Sequence, residues 1–192
     1  MSQEPYQLMN GPFAVYVATP VVLAPDIAIP SASIDAAWSL LGVDGAKDIV
    51  EEGVKVLIEQ DVQKLRGLGS VATRKMFRTS QDVTIQFTLA DASIENYARA
   101  LNGAEINLDS HRRLIDLLMT ADVAQFSLLI RGDDRSPYGA FNTQWWIPRA
   151  SHDANVETVY VKGAPVGLAY SFVALDDSTY GLGTLESQDE IS

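Results

Sequence analysis

The run 52–102 constrains the fold more than any other part of the chain, because extended segments with alternating side chains are separated here by turns and end in one short helix. Val54, Val56 and Ile58 fall on one face of the first segment, while charged and amide side chains occupy the other face. Such a strand needs a core on one side and a solvated or partnered surface on the other. Self-assembly is therefore the first hypothesis.

Length and composition exclude several classes of protein. The 192 residues fit one domain that buries its own core. A net charge of −11 opposes a basic footprint for nucleic acid. The absence of cysteine excludes disulfides and thiolate chemistry. The chain contains no run of about 20 uninterrupted apolar residues, so no membrane span is predicted. No signal peptide is evident at the N-terminus.

Period-two alternation predicts further strands, and one helix is well signalled. The predicted strands lie within 13–19, 37–41, 54–63, 74–78, 83–89, 125–131, 141–147, 156–162 and 166–175, the seventh of them stopping at Pro148. Asp91 and Ser93 are N-cap candidates for a helix that ends near Gly103. The segment 113–119 fits a helix or a strand, and strand is favoured. The sequence predicts a mainly β fold, an antiparallel β-sandwich or β-barrel with one flanking α-helix.

Extended segments accompany this single domain of residues 1–192. They are an N-terminal arm at 1–12, a Pro-rich extended loop at 20–35, polar connections at 42–53 and 67–73, and a flexible acidic tail at 177–192. The apolar residues of the Pro-rich loop predict that it lies across a surface of the subunit itself or of a neighbour. Deletion of either connection should block the stacking of assembled copies and spare the fold.

The sequence offers no catalytic, metal or cofactor signature. His111 and His152 each sit in a polar connection and not in a spaced ligand set. None of the serines has a nucleophile-elbow context with a paired histidine. Adjacent acids such as Asp133 and Asp134 are typical of turns. We therefore predict no enzyme, no cofactor and no metal site.

The aromatic residues leave a second class of protein open. Trp145 and Trp146 are neighbours in a strand, so they point to opposite faces, one into the core and one towards solvent or an interface. A small β-barrel that binds an apolar ligand is the alternative, with Trp38, Trp145 and Tyr170 lining its cavity.

A group of cations lies close to the second polar connection of an otherwise acidic chain. Arg66, Arg74, Lys75 and Arg78 form this group. We expect it to pair with acids of the first connection, within the subunit or across a contact. The candidate self-assembly contacts are thus Asp44, Asp48, Glu51, Arg66, Arg74 and Arg78.

The order of these segments resembles the major tail tube proteins of long-tailed bacteriophages. The likeness is carried by Gly-Pro-Phe-Ala-Val-Tyr-Val-Ala at 11–18, Trp-Ser-Leu-Leu-Gly at 38–42, Gly-Val-Lys-Val at 53–56, Leu-Arg-Gly-Leu-Gly-Ser at 65–70, and by the segments 74–79, 83–91, 94–102 and 166–175. It covers residues 13–176.

The resemblance implies a non-enzymatic virion protein, made in the bacterial cytoplasm, whose hexameric rings stack into a hollow tube. Implied partners are other copies of the chain, the tape measure, tail terminator and tail tip proteins, and double-stranded DNA in transit. Strand alternation nominates Lys55, Glu59, Asp61 and Gln63 as lumen-facing residues, provided that the face of Val54 is core. The inner tube of a contractile tail or of a type VI secretion system would share this fold.

Overall fold

The computed structural model describes residues 13–25, 34–50, 52–68, 72–117, 123–132, 143–153, 155–156, 158 and 166–186. The strands of this part of the chain are β1 (Phe13–Ala18), β2 (Ser39–Leu40), β3 (Lys55–Arg66), β4 (Thr73–Leu89), β5 (Ile106–Asp109), β6 (Arg112–Ile115), β7 (Phe126–Gly132), β8 (Gln144–His152), β9 (Leu168–Ala174) and β10 (Thr184–Glu186). The α-helix α1 spans Ile94–Ala100, and a 3-10 helix spans Gly45–Asp48. The predicted mainly β fold with one α-helix is confirmed.

Nearly all strands belong to one antiparallel sheet. Its order is β2-β1-β7-β8-β9-β4-β3, and β10 pairs with β8. One edge of β8 serves two partners, β9 near its end and β10 near its start. The strands β5 and β6 form a separate hairpin. This hairpin places 112–115 in a strand, as favoured from the sequence.

The sheet folds back so that its two halves enclose one core. Phe13 of β1, Ile130 of β7 and Trp145 of β8 line an apolar pocket of about 180 Å³ together with Val54 and Val56 at the start of β3. Because β1 and β3 are distant in the strand order, they share a pocket only if the sheet curves around it. The result is the sandwich-like arrangement of facing layers that the sequence predicted.

The core follows the strand alternation read from the sequence. Phe87 of β4 and Tyr170 of β9 stack with ring centroids 5.1 Å apart, and Tyr170 stacks on Phe172 at 5.5 Å. Side chains two residues apart on β9 are all buried, whereas those between them are more accessible. A strand with this period places every second side chain in the core.

The helix α1 has the predicted boundaries. Ser93 occupies its N-cap position, and the carboxylate of Asp91 accepts a hydrogen bond from the Ser93 backbone at 3.1 Å. Gly103, just past the last turn, has a φ of 78°. Glycine adopts this left-handed conformation without the clash of a Cβ, and it ends many helices for that reason.

The first part of the Pro-rich loop crosses the outer face of β8. The indole Nε1 of Trp146 donates to the carbonyl of Val22 at 3.0 Å, and the Gln144 amide donates to the carbonyl of Pro25 at 2.9 Å. The predicted docking of this loop on the subunit is thus confirmed for 20–25.

Three strand predictions were wrong in extent. The segments 74–78 and 83–89 belong to the single strand β4. The strand β8 continues through Pro148, which lies in a bulge where β8 has one residue more than β7. Bulges are among the few places where a sheet tolerates proline, and the Pro148 carbonyl accepts from the Ser127 hydroxyl at 2.8 Å.

The connection 42–53 is part of the fold and not a dispensable loop. The Asp48 carbonyl accepts from the Ala90 backbone at 2.6 Å, and the Val50 backbone donates to the Thr88 carbonyl at 3.0 Å. Its removal would strip backbone hydrogen bonds from the end of β4. These bonds argue against the expectation that this deletion spares the fold, which stays a prediction.

The predicted flexible tail begins too early. Its residues up to Glu186 are structured, because β10 fills the free edge of β8. The Asp177 carboxylate accepts a hydrogen bond from the Thr179 backbone at 3.0 Å and from Arg149 Nε at 2.8 Å. These two contacts hold the pKa of Asp177 below its ordinary value.

Several predictions fall wholly or largely outside the described residues. They concern the arm at 1–12, the loop residues 26–33, the segment 118–122, most of the proposed strand 156–162, and the tail after 186.

Candidate self-assembly surface

The β3–β4 hairpin extends well beyond the sheet. Over 59–66 and 73–82 the two strands are hydrogen-bonded to each other and, in the described part of the chain, to no third strand. We call these two segments the ribbon. β4 gains its second partner, β9, only from Thr84 onwards. At roughly 3.3 Å per residue, the ribbon projects about 26 Å past the sheet.

The pairing within the ribbon shifts register at Thr79 and again at Arg74, where β4 has one residue more than β3. Local bonds fix the register around Thr79. The Thr79 hydroxyl donates to the Asp61 carbonyl at 3.1 Å, and the Ser80 hydroxyl donates to the Asp61 carboxylate at 3.1 Å. On the other face, Arg78 donates to Gln81 Oε1 at 2.7 Å. A bulge adds one residue to one strand and increases the local twist.

The nominated lumen-facing residues share one face of β3. They are Lys55, Glu59, Asp61 and Gln63, which alternate along a strand without a bulge of its own. The condition on which they were nominated is met, because Val54 and Val56 pack against the core. Pairing brings Asp82 directly opposite Glu59 on the same face. Asp82 could not be nominated from the sequence, because local alternation does not reveal a cross-strand neighbour.

Large apolar side chains are exposed on both faces of the ribbon. On one face Phe77 is 43% exposed and Leu65 is 55% exposed, while on the other Met76 is 55% exposed. Leu68 at the turn is fully exposed. A two-stranded hairpin is only marginally stable in water without further packing. The exposed apolar side chains make the ribbon a candidate contact surface.

Positive charge is concentrated at the far end of the ribbon. The segment 62–78 contains five of the chain's 14 Lys and Arg residues and none of its 25 acids. These cations are Lys64, Arg66, Arg74, Lys75 and Arg78. Lys75 Nζ lies 4.9 Å from the centroid of the Phe77 ring, so cation and aromatic surface are presented together. The structure thus brings Arg66, Arg74 and Arg78 into one exposed region.

The three acids nominated as partners of these cations do not meet them within the subunit. Asp44 is exposed, and its Oδ2 atom lies 3.6 Å from Lys47 Nζ. Asp48 accepts backbone hydrogen bonds from Val43 and Asp44, so it stabilises its own loop. Glu51 lies outside the described residues. Among the described side chains, none of the ion pairs involves a cation of the ribbon.

The β3 strand also forms an edge of the sheet. Its outer side has no partner strand anywhere in the described ranges, over Lys55–Arg66. The opposite edge, β2, has only two residues. A long unpaired edge is a template for strand addition from another chain.

His152 is placed differently from the prediction. It ends β8 and is 4% exposed, not in a polar connection. Its ring lies edge-on to Tyr170 at 5.4 Å and to Phe172 at 5.5 Å. Burial lowers the pKa of His152, which indicates a neutral core residue.

The tryptophans do not line a shared cavity. Trp38 and Trp146 are buried in a small cluster on the outer face of β8, and Tyr170 lies in the main core. Trp145 is half-buried and lines the pocket of about 180 Å³. Trp145 and Trp146 thus occupy opposite faces as predicted, but Trp146, packed against Tyr180 at 5.1 Å, is not exposed.

Within the described ranges, no group of three or more His, Cys, Asp or Glu side chains is arranged to hold a metal ion. None of the helices in the same ranges has the length and apolar character that crossing a bilayer would require. No protein-family model matches the chain, and no curated protein matches its sequence.

Proposed function

We propose that this chain is the structural subunit of a bacteriophage tail tube, which assembles into stacked hexameric rings around a channel for DNA. The observation that carries the proposal is the ribbon, with apolar side chains exposed on both faces and a cationic end on an acidic protein. Such a surface is a liability in an isolated monomer. Contact with further copies would cover it.

Ring formation is supported by the two unlike edges of the sheet. If the β3 edges of two copies paired with each other, the other edge of each copy would stay free. If the β3 edge of each copy pairs instead with a different edge of the next copy, the contact can repeat around a closed ring. Closure of a sheet into a barrel removes its edges altogether. Exposed main-chain donors and acceptors along β3 would then be paired.

The face of Lys55, Glu59, Asp61 and Gln63 is the one we assign to the lumen. With Asp82 added, this face carries more acid than base. Duplex DNA binds proteins largely through cations that neutralise its phosphates. An acidic channel would let DNA pass without binding to the wall.

The proposal includes the partners of such a tube. They are the tape measure protein inside the tube during assembly, the tail terminator and tail tip proteins at its ends, and DNA in transit. It places the protein in the virion and gives it no catalytic role. The inner tube of a contractile tail or of a type VI secretion-like system would use the same subunit contacts. Binding of a sheath protein to the outside of purified tubes would identify a contractile system of this kind.

Negative-stain electron microscopy at increasing protein concentration, together with light-scattering mass, tests the proposal. We expect rings or hollow tubes of uniform width that increase in number with concentration. A monomeric mass at every concentration, also after addition of preformed tube seeds, would contradict the proposed function.

A further inference from the structure

The first part of the Pro-rich loop is held on β8 by three hydrogen bonds and contains one strained residue. We call residues 20–25 the strap. Besides the bonds from Gln144 and Trp146, the Val21 backbone donates to the Pro148 carbonyl at 2.9 Å. Val21 has a φ of 65°. A β-branched residue is rarely found in this left-handed region, and such strain persists only where the surrounding contacts enforce it.

The C-terminal part of the described chain lies on the same strand, beside the strap. We call residues 178–186 the closing segment. It includes β10, which pairs Glu186 with Gln144, and the Tyr180 ring, which lies edge-on to the Trp146 indole with centroids 5.1 Å apart. The strand β9 pairs with the other end of β8. In the described part of the chain, β10 is therefore the strand that covers the start of this edge.

Two side chains of β8 contact both the strap and the closing segment. Gln144 Nε2 donates to the Pro25 carbonyl at 2.9 Å and to the Glu186 carboxylate at 2.8 Å. The Trp146 indole donates to the Val22 carbonyl, while its ring packs against the closing segment. Gln144 is fully buried and Trp146 is 4% exposed. Loss of either element would expose both side chains and so weaken their contacts with the other element.

From these shared contacts we infer that the strap and the closing segment form one clasp, which opens and closes as a unit and guards the edge of β8. An unpaired edge is a template for strands of other chains, and proteins often cover such edges. The strain at Val21 lowers the free energy that local opening requires. The clasp belongs to the single subunit, so the inference does not depend on the proposed tube.

One glycine permits the closed clasp. Gly183 has a φ of 128°, and a Cβ at this position would overlap the Trp146 carbonyl oxygen and lie 2.8 Å from Ile147 Cδ1. Gly183→Ala should therefore lift β10 from β8 without removing any side chain. Gly53→Ala is the matched control. Gly53 also has a left-handed φ, of 70°, but a Cβ there would meet no atom within 4 Å.

Hydrogen exchange measured by mass spectrometry on peptides from the strap tests the coupling. In Gly183→Ala we expect the strap amides to exchange about tenfold or more faster than in wild type, because the strap opens when the closing segment is displaced. Amides in the β4–β9 pairing should keep their wild-type rates, which shows that the core is folded. Gly53→Ala should leave the strap unchanged. Wild-type exchange of the strap in Gly183→Ala would overturn the inference.

A second variant tests the coupling from the strap. Glycine adopts a left-handed φ without strain, so Val21→Gly should stabilise the closed strap. Because coupling between two elements is reciprocal, we expect severalfold slower exchange in the closing segment as well as in the strap. Val21→Ala removes the same side-chain contacts but keeps a Cβ in the left-handed region, so its effect should be smaller. Slower exchange confined to the strap would contradict a single clasp.

The guarding role has its own measurement. With β10 lifted, the edge of β8 is free to pair with other chains, so Gly183→Ala should form polydisperse, thioflavin-binding aggregates. Light scattering that finds this variant as monodisperse as Gly53→Ala would overturn the guarding role. Failure of wild type to form tubes would contradict the proposed function alone, because the exchange experiments require no assembly.

Discussion

At the scale of single residues, His152 links stability to pH. In the unfolded chain a histidine titrates at about 6.5, whereas burial lowers the pKa of His152 in the fold. The unfolded state therefore binds more protons as pH falls below about 6.5, and stability is lost in that direction. We expect His152→Leu to reduce the loss of stability between about pH 7 and about pH 5.5, a range that spans the ordinary value.

Urea unfolding at the two pH values measures this effect. His111→Leu is the matched control, because His111 is exposed in the turn between β5 and β6, and it should keep the wild-type dependence. An unchanged loss of stability in His152→Leu would show that other groups govern the acid sensitivity in this range.

Tyr170 joins the helix to the core through one buried hydrogen bond. Its hydroxyl donates to the Asn96 carbonyl at 2.6 Å. Tyr170→Phe keeps the ring stacking and removes this buried bond between the core and the helix, so we expect a loss of about 1 kcal/mol in the free energy of unfolding. Tyr97→Phe, which removes a less buried bond to Thr158, should cost less. Equal losses in the two variants would contradict this assignment.

At the scale of elements, the ribbon should be separable from the fold. A variant in which Asn-Gly replaces 62–79 joins the paired residues Asp61 and Ser80 by a two-residue turn. Every side chain that the structure describes within 62–79 is exposed, so we expect thermal unfolding close to that of wild type and a loss of tubes in electron micrographs. Leu68→Ser, which changes only the turn, is the control of full length. Normal tubes from the shortened variant would contradict a role of the ribbon in assembly.

Local patterns predicted the elements that depend on local interactions. Alternation gave the face of β9, and Ser93 with Gly103 gave the limits of α1. The continuity of β4 was missed because the polar residues 79–82 between its two apolar parts look like a turn when their cross-strand partners on β3 are unknown.

The remaining errors have non-local causes as well. The strand β10 forms because β9 leaves the start of β8 unpaired. The residues of β10 give no local indication that another strand has an unpaired edge. Asp82 joined the candidate site for a similar reason, since only pairing sets it opposite Glu59. Three of the nominated cations do lie in one region, whereas the Asp48 carboxylate accepts backbone hydrogen bonds within its own loop.

At the scale of the whole molecule, the separation of charge makes assembly sensitive to salt. Contacts between exposed charges weaken as the screening length falls from about 10 Å at 0.1 M to about 3 Å at 1 M salt. We therefore expect fewer and shorter tubes as sodium chloride rises over this range, measured by sedimentation and electron microscopy. Assembly that is indifferent to salt would point to apolar contacts alone.

The unbroken course of β4 has a mechanical consequence. One strand of 17 residues reaches from the free end of the hairpin into the interior, where it pairs with β9. Antiparallel hydrogen bonds are perpendicular to their strands, so a pull along β4 loads the β4–β9 bonds together and in shear. Force spectroscopy should then find high resistance when the ribbon is pulled lengthwise and low resistance when β3 is peeled away. A filament of such subunits would resist stretching and still bend.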